Sequence, residues 1–123
     1  MRALRTAAVV AAALAAVVGA SCATTTFSGT PAPPVATPAG VRFVVMHAEA
    51  NSVALAGSFN QWSASSHPLA REGKGGLWSI VVRLSPGQHA FMFVVDGVWV
   101  SPPLAEDYVD DGFGAKNGIV VVR

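Results

Sequence analysis

The chain has 123 residues, with eight basic and seven acidic side chains and a formal net charge of +1 at neutral pH. Only 12% of the residues are charged, and no basic patch is present that would hold nucleic acid. The single cysteine excludes a disulfide within the chain, and the length allows one small domain once targeting segments are set aside.

Residues 1–21 have the pattern of a bacterial export signal. Arg2 and Arg5 give a basic start, and residues 6–18 form an Ala- and Val-rich apolar run that is too short for a permanent membrane helix. Removal of this segment would leave six basic and seven acidic residues, a net charge of −1. The pattern predicts that the protein leaves the cytoplasm.

Cys22 follows the apolar run directly, in the sequence VGASC of residues 18–22. Small residues before a cysteine resemble a bacterial lipobox, although Gly19 stands where that motif has an aliphatic residue. The resemblance implies that Cys22 is lipidated and anchors the protein to a membrane in the periplasm or at the cell surface. The alternative is an ordinary secretory signal cut after Ala20, which leaves Cys22 as a free thiol in an oxidising compartment.

Residues 22–40 are rich in Pro and Thr and contain no charged side chain. Such a segment cannot bury a core, and it favours extended, polyproline-like conformations with a reach of ~3 Å per residue. We interpret it as a tether between the anchor and a folded domain of residues 41–123.

The predicted domain contains several strand-like runs filled by β-branched and aromatic residues and separated by Gly, Pro, Asn and Asp. No segment of it has a helical apolar period. The runs are residues 41–47, 52–56, 77–84, 89–95, 98–100 and 119–122. They predict an all-β fold, an immunoglobulin-like antiparallel β-sandwich of about seven short strands.

Asp96-Gly97 is typical of a two-residue type I′ hairpin, which would pair Val94 with Trp99. Because side chains alternate along each strand, the pairing defines two faces. The face assigned to the core holds Phe91, Phe93, Val95, Val98 and Val100. The other face holds Ala90, Met92, Val94, Trp99 and Ser101. Trp99 is therefore expected on an outward apolar strip with Met92 and Val94, which suggests a contact surface.

Trp62 ends the loop sequence GSFNQW, residues 57–62, after an apolar run. Two tryptophans near the surface of a small β domain suggest a flat platform for a ligand; the alternative for Trp62 is a lid on the core. Trp78 lies within a strand pattern and is expected to pack, and Phe59 is assigned to the core.

Four segments, taken together, resemble carbohydrate-binding module family 48, and in particular the glycogen-binding domain of the AMP-activated protein kinase β subunit. They are residues 53–62, 84–89, 93–99 and 114–119. Each segment is a weak signal, but their order and spacing are fairly specific for the fold. Domains of this type also precede the catalytic domains of isoamylases and branching enzymes. The resemblance implies non-catalytic binding of α-1,4-glucan.

The resemblance also implies which residues would bind the sugar. Trp62 and Trp99 correspond to the tryptophans that stack on sugar rings, and Asn117 corresponds to a polar contact near the last strand. Phe113 takes the place of a leucine that pokes into the bound glucan.

Two positions depart from the family pattern. Met92 stands where the family has a glucan-contacting lysine, and Ala115 where it has a threonine; the neighbouring Lys116 is the candidate to compensate. Loss of two polar contacts would weaken or abolish sugar binding. The rival hypothesis is therefore an envelope protein-interaction or structural domain that keeps the sandwich without the sugar site.

The sequence predicts no catalytic site, metal or cofactor. The histidines lack a metal-ligand spacing, and no nucleophile–His arrangement or phosphate-binding glycine loop is present. The acidic cluster in residues 106–111 is interpreted as a solvated loop rather than a calcium site. We therefore expect a binding domain and not an enzyme.

Overall fold

The computed structural model describes residues 30–123, so the predicted signal, Cys22 and the first part of the predicted tether lie outside the described residues. The described chain contains nine strands and no helix. They are β1 Val35–Thr37, β2 Gly40–Met46, β3 Val53–Gly57, β4 Ala70–Glu72, β5 Leu77–Val82, β6 Gly87–Val95, β7 Val98–Val100, β8 Asp107–Asp110 and β9 Lys116–Val122. Residues 30–123 accordingly offer no helix that is long and apolar enough to cross a membrane.

The strands pair antiparallel in two sheets. One sheet has the order β1-β2-β5-β4, and the other has the order β3-β6-β9-β8, with β7 added to β6. The predicted all-β sandwich is confirmed, with nine short strands in place of about seven. Three strands, β1, β4 and β8, lie outside the six predicted runs; they are short and stand at sheet edges, where sequence signals are weak.

β1 lies inside the segment that was predicted to be a tether. Its residues contain no proline and pair with the free edge of β2, where Val35 lies opposite Arg42. The side chain of Thr37 donates a hydrogen bond to the carbonyl of Gly40, 2.7 Å away, and closes the turn between the two strands. Ordered structure therefore begins before residue 41.

β8 corrects the prediction of an acidic loop. Its four side chains are all exposed, but its backbone pairs with β9 from Asp107 opposite Ile119 to Asp110 opposite Lys116. A charged edge strand gains the hydrogen bonds of the ladder while its side chains stay in water. The polar composition that suggested a loop is thus compatible with a strand at this edge.

The core lies between the two sheets. Phe43 of β2 is fully buried and packs edge-on against Phe91 of β6, with 5.0 Å between ring centroids. Phe93 is also buried, and Phe59 packs against the same cluster from a loop. Trp78 is buried and donates its indole N–H to the carbonyl of His47 at 3.0 Å, so its predicted packing role is confirmed.

The predicted hairpin register is confirmed. Val94 lies opposite Trp99 and Val95 opposite Val98, and both Asp96 (φ 49°) and Gly97 (φ 83°) have the positive φ that a type I′ turn requires. The core assignment of Val98 is wrong, because 63% of this residue is exposed. It directly follows the turn, at the tip of the hairpin, where burial no longer follows the alternation of the strand.

Candidate functional site

The outer face of the five-stranded sheet carries the predicted apolar strip, but most of that strip is covered. Val94 is buried, and it forms a small cluster with Ala54 and Ala56 of β3, on which Trp62 packs. Met92 is buried as well. Trp99 lies on the outer face as expected, but the strip beside it is partly covered, because the indole of Trp62 packs on it.

The loop that carries Trp62 is organised around the side chain of Asn60. Its Oδ1 accepts hydrogen bonds from the backbone N–H of Gly57 at 3.0 Å and of Ser63 at 3.2 Å. Its Nδ2 donates to the carbonyl of Leu55 at 3.0 Å and to Nδ1 of His67 at 2.9 Å. These partners determine the orientation of the amide, and they hold both ends of the loop together.

Gly57 begins this loop at a point where no side chain fits. A Cβ atom there would lie 2.5 Å from the carbonyl oxygen of Ala90 and would collide with the ring of Phe59. Phe59 turns inward, with its ring centroid 6.2 Å from that of Phe43. The loop is thus attached to the core by one aromatic ring and presents the next one, Trp62, on the outer face of the sheet.

Trp62 and the preceding Gln61 both have left-handed backbone conformations, with φ values of 57° and 60°. Such a conformation is unusual for a large side chain and costs energy unless the surroundings hold it. Here the N–H of Trp62 donates to the carbonyl of Gly57 at 2.9 Å, and the ring packs on the alanines of β3. The position of the indole is therefore set by the folded loop.

Trp99 and Asn117 meet because two strands share one edge of β6. β9 pairs with the first part of β6, up to Phe91, and β7 pairs with the last part, from Phe93. Ser101 directly follows β7, and Lys116 begins β9. A hydrogen bond of 3.1 Å from the N–H of Lys116 to the hydroxyl of Ser101 links the two strands. Trp99 is 45% exposed, and it lies on the same outer face as Asn117.

Phe113 projects from the connection between β8 and β9. Oδ1 of Asp111 accepts hydrogen bonds from the N–H groups of Phe113 at 2.7 Å and of Ala115 at 3.1 Å. Gly112 and Gly114 take the positive φ values that the tight loop requires. The result is a phenylalanine that is 92% exposed although its backbone is held in place.

These elements enclose one shallow cavity of about 370 Å³ on the outer face of the five-stranded sheet. Its lining residues are Trp62, Met92, Trp99, Asp111, Phe113 and Asn117. The structure therefore brings together all four residues for which a sugar contact was predicted. It also puts Met92 among them, at the position where the resemblance implied a lysine.

Asp111 is the lining residue that the sequence reasoning assigned elsewhere. It was counted in the acidic cluster, and the Asp-Gly pair before Phe113 predicted only a turn there. Lys116 is not among the residues that line the cavity, and its Nζ donates a hydrogen bond to Oδ1 of Asp110 at 2.7 Å. This hydrogen bond lowers the pKa of Asp110 and raises the pKa of Lys116.

The arrangement is suited to binding a ligand that offers both flat apolar faces and hydrogen-bonding groups. Two indoles and a phenyl ring supply apolar faces, and one amide and one carboxylate supply hydrogen-bonding groups. Within residues 30–123, no group of three or more His, Cys, Asp or Glu side chains is placed to hold a metal ion.

Comparison with known proteins agrees with this geometry. Residues 41–123 match the family model described as the glycogen recognition site of AMP-activated protein kinase. Among curated proteins, the chain is 36% identical over 80 residues to the rice protein FLOURY ENDOSPERM 6, chloroplastic, a match that covers 65% of this chain and 14% of the relative.

Two further relatives come from other kingdoms. The chain is 38% identical over 69 residues to a 1,4-alpha-glucan branching enzyme GlgB of Pseudomonas syringae, covering 55% of this chain and 9% of the enzyme. It is 37% identical over 71 residues to the pig 5′-AMP-activated protein kinase subunit beta-1, covering 58% of this chain and 54% of the subunit. The matched part is thus about half of the kinase subunit and a small fraction of the other two relatives.

Proposed function

The chain belongs to the family of the glycogen recognition site of AMP-activated protein kinase, and we propose that it binds α-1,4-glucan without acting on it chemically. The observation that carries this proposal is the cavity that Trp62 and Trp99 line together. Asn117 and Phe113 line it as well.

The cavity can bind a glucan through stacking and a few hydrogen bonds. The C–H faces of glucose rings pack on the indoles at ~1 kcal/mol per aromatic contact beyond the buried area. The amide of Asn117 can donate to and accept from hydroxyl groups. After the cost of association little free energy remains, so we expect dissociation constants between about 10 μM and a few mM. The protein is then retained only on long glucan chains that offer many binding sites.

A catalytic role finds no support in the lining of the cavity. Asp111 is the one carboxylate among the six lining residues. Glycoside hydrolysis ordinarily uses two carboxyl groups that face each other across the scissile bond. The branching-enzyme relative is matched over only 9% of its length, so its activity is not transferred to this chain.

Removal of either indole tests the proposal. Trp62→Ala and Trp99→Ala should each reduce retention on insoluble amylose by about tenfold or more, because each removes one stacking surface. Val81→Ala is the matched control, since Val81 is an exposed apolar residue on the other sheet. Circular dichroism confirms that each variant is folded. Equal retention of all three variants would contradict the glucan site.

The second candidate function is recognition of a protein partner by the same face. It is favoured by Met92, which lacks the N–H donor that a lysine would offer to a sugar hydroxyl. Under this alternative the unaltered chain would not be retained on amylose at all.

We also propose that the protein is exported and attached to a membrane by a lipid on Cys22. The support is the pattern of residues 1–22 described above, and the Pro-rich residues that follow would separate the glucan site from the membrane. Expression in a bacterium supplied with a radioactive fatty acid should label the chain, whereas Cys22→Ser should carry no label. Ser21→Ala is the control that keeps the cysteine, and label on Cys22→Ser would rule out the anchor.

A further inference from the structure

The charge of the cavity differs from the charge that the family resemblance implies, because the family has a lysine at this site. Of the six lining residues, Asp111 alone is charged, and Met92 stands in the position of the lysine. Lys116, the cation next to Asn117 in sequence, is paired with Asp110. The cavity therefore has one negatively charged group and no cation among its lining residues.

The carboxylate of Asp111 is held in one orientation by its own loop. Oδ1 accepts the N–H groups of Phe113 and Ala115, and the N–H of Asp111 donates to the carbonyl of Ala115 at 3.0 Å. In the described part of the chain, Oδ2 has no hydrogen-bond partner. One oxygen thus maintains the loop, and the other has no protein partner that would compete with a ligand in the cavity.

We infer that Asp111 determines the charge specificity of the site, which accepts neutral or amine-bearing glucans and discriminates against glucans that carry phosphate or carboxylate groups. This inference rests on the proposed glucan binding and goes beyond it by naming the class of glucan. Like charges a few ångströms apart repel, whereas Oδ2 can accept hydrogen bonds from a hydroxyl or an ammonium group.

The size of the effect follows from the exposure of the cavity. Water screens the charges, so a single repulsion is worth a factor of about three to ten in affinity at low salt. The discrimination should shrink when the NaCl concentration is raised to about 1 M, because the Debye length then falls to ~3 Å.

Three matched oligosaccharides test the inference with the full chain. They are maltoheptaose, maltoheptaose oxidised to carboxylates at C6, and maltoheptaose with amino groups at C6, each titrated while the indole N–H signals of Trp62 and Trp99 are followed by NMR. We expect the amine-bearing ligand to bind at least about threefold more tightly than the carboxylate-bearing one at low salt. In Asp111→Asn the ratio of these two affinities should fall towards one.

Asp111→Asn is a suitable variant because the amide oxygen can accept the same two backbone N–H groups. Glu49→Gln removes one negative charge from an exposed loop outside the cavity, and it should leave the native ratio unchanged. A ratio that falls equally in both variants would assign the effect to net charge and overturn the inference.

The remaining outcomes separate the inference from the proposed function. If maltoheptaose binds and the native chain shows no preference between the charged ligands, the role of Asp111 is refuted and glucan binding stands. If none of the three ligands moves either indole signal, both proposals fail.

Discussion

The loop before Trp62 shows how single residues determine the position of the candidate site. Gly57 is present because a Cβ would collide with the carbonyl of Ala90, and Asn60 because one amide can satisfy two donors and two acceptors at once. Trp62 then adopts a left-handed backbone conformation that places its ring on the sheet. The residues of the sequence GSFNQW that precede Trp62 therefore serve mainly to position its indole ring.

Gln61 offers a test of the left-handed conformation. Its side chain is exposed and its φ is 60°, so Gln61→Gly should raise the free energy of unfolding by about 0.5–1 kcal/mol, because glycine adopts this φ without a steric cost. Urea unfolding measures the change.

Gln88→Gly is the control for that substitution. Gln88 is also exposed but lies in β6, opposite Val121, where glycine should lower the free energy of unfolding by about 0.5–1 kcal/mol. A decrease in both variants would mean that the loop does not hold Gln61 in the conformation described.

At the scale of the element, the outer face of the four-stranded sheet is joined by an ion pair that spans β5. Arg42 of β2 donates two hydrogen bonds to the carboxylate of Glu72 in β4, at 2.7 and 3.1 Å, and Ser79 of β5 donates a third. The bonds from Arg42, followed by the bond from Ser79, lower the pKa of Glu72 below its ordinary value of 4.5. The edge strand β4 is thereby attached through side chains as well as through its short ladder.

The lowered pKa of Glu72 predicts a pH dependence of stability. Its contribution is fully present above pH 4.5, the ordinary value, and is lost as the pH falls through the lower folded-state value. Glu72→Gln should therefore be less stable than the native chain at pH 7, with a difference that narrows below pH 4.5. Urea unfolding across this range measures it, with Glu49→Gln as an exposed control. A difference that stays constant with pH would show that the ion pair is not the cause.

At the scale of the whole molecule, the core and the candidate site use opposite faces of the same sheet. Phe91 and Phe93 of β6 point into the sandwich, while Met92 between them lines the cavity. Alternation along one strand thus serves stability on one face and binding on the other. The two roles should be separable by substitution.

Phe43→Ala tests that separation. Loss of a fully buried ring should lower the free energy of unfolding by about 3–5 kcal/mol, because a cavity opens between the sheets. Under conditions where the variant remains folded, its retention on amylose should stay within about twofold of the native value, since the hydrogen bonds of Asn60 still hold the Trp62 loop when Phe59 loses its contact with Phe43. Trp99→Ala should show the reverse pattern. Loss of amylose binding in folded Phe43→Ala would mean that the site depends on the packing of both layers.

Local patterns were sufficient for much of the fold. The strand runs, the hairpin at Asp96-Gly97 and the inward direction of Phe91 and Phe93 were all predicted correctly, because alternation and turn chemistry involve residues that are close in sequence. The alternation gave the wrong result for Val98, which is exposed because it lies at the tip of the hairpin. The sequence also suggested the grouping of Trp62, Trp99, Phe113 and Asn117, but only through resemblance to a family.

Three features depended on contacts between distant parts of the chain. Trp62 covers Val94, and β1 and β8 became strands because neighbouring edges supplied backbone partners for segments with weak strand signals of their own. Asp111 entered the cavity because its loop turns back towards β9.

The sequence by itself determined which residues alternate and where the chain turns, since these are local properties of the backbone. Only the tertiary structure decided which faces are covered and which charge the cavity carries, because both depend on residues that folding brings together.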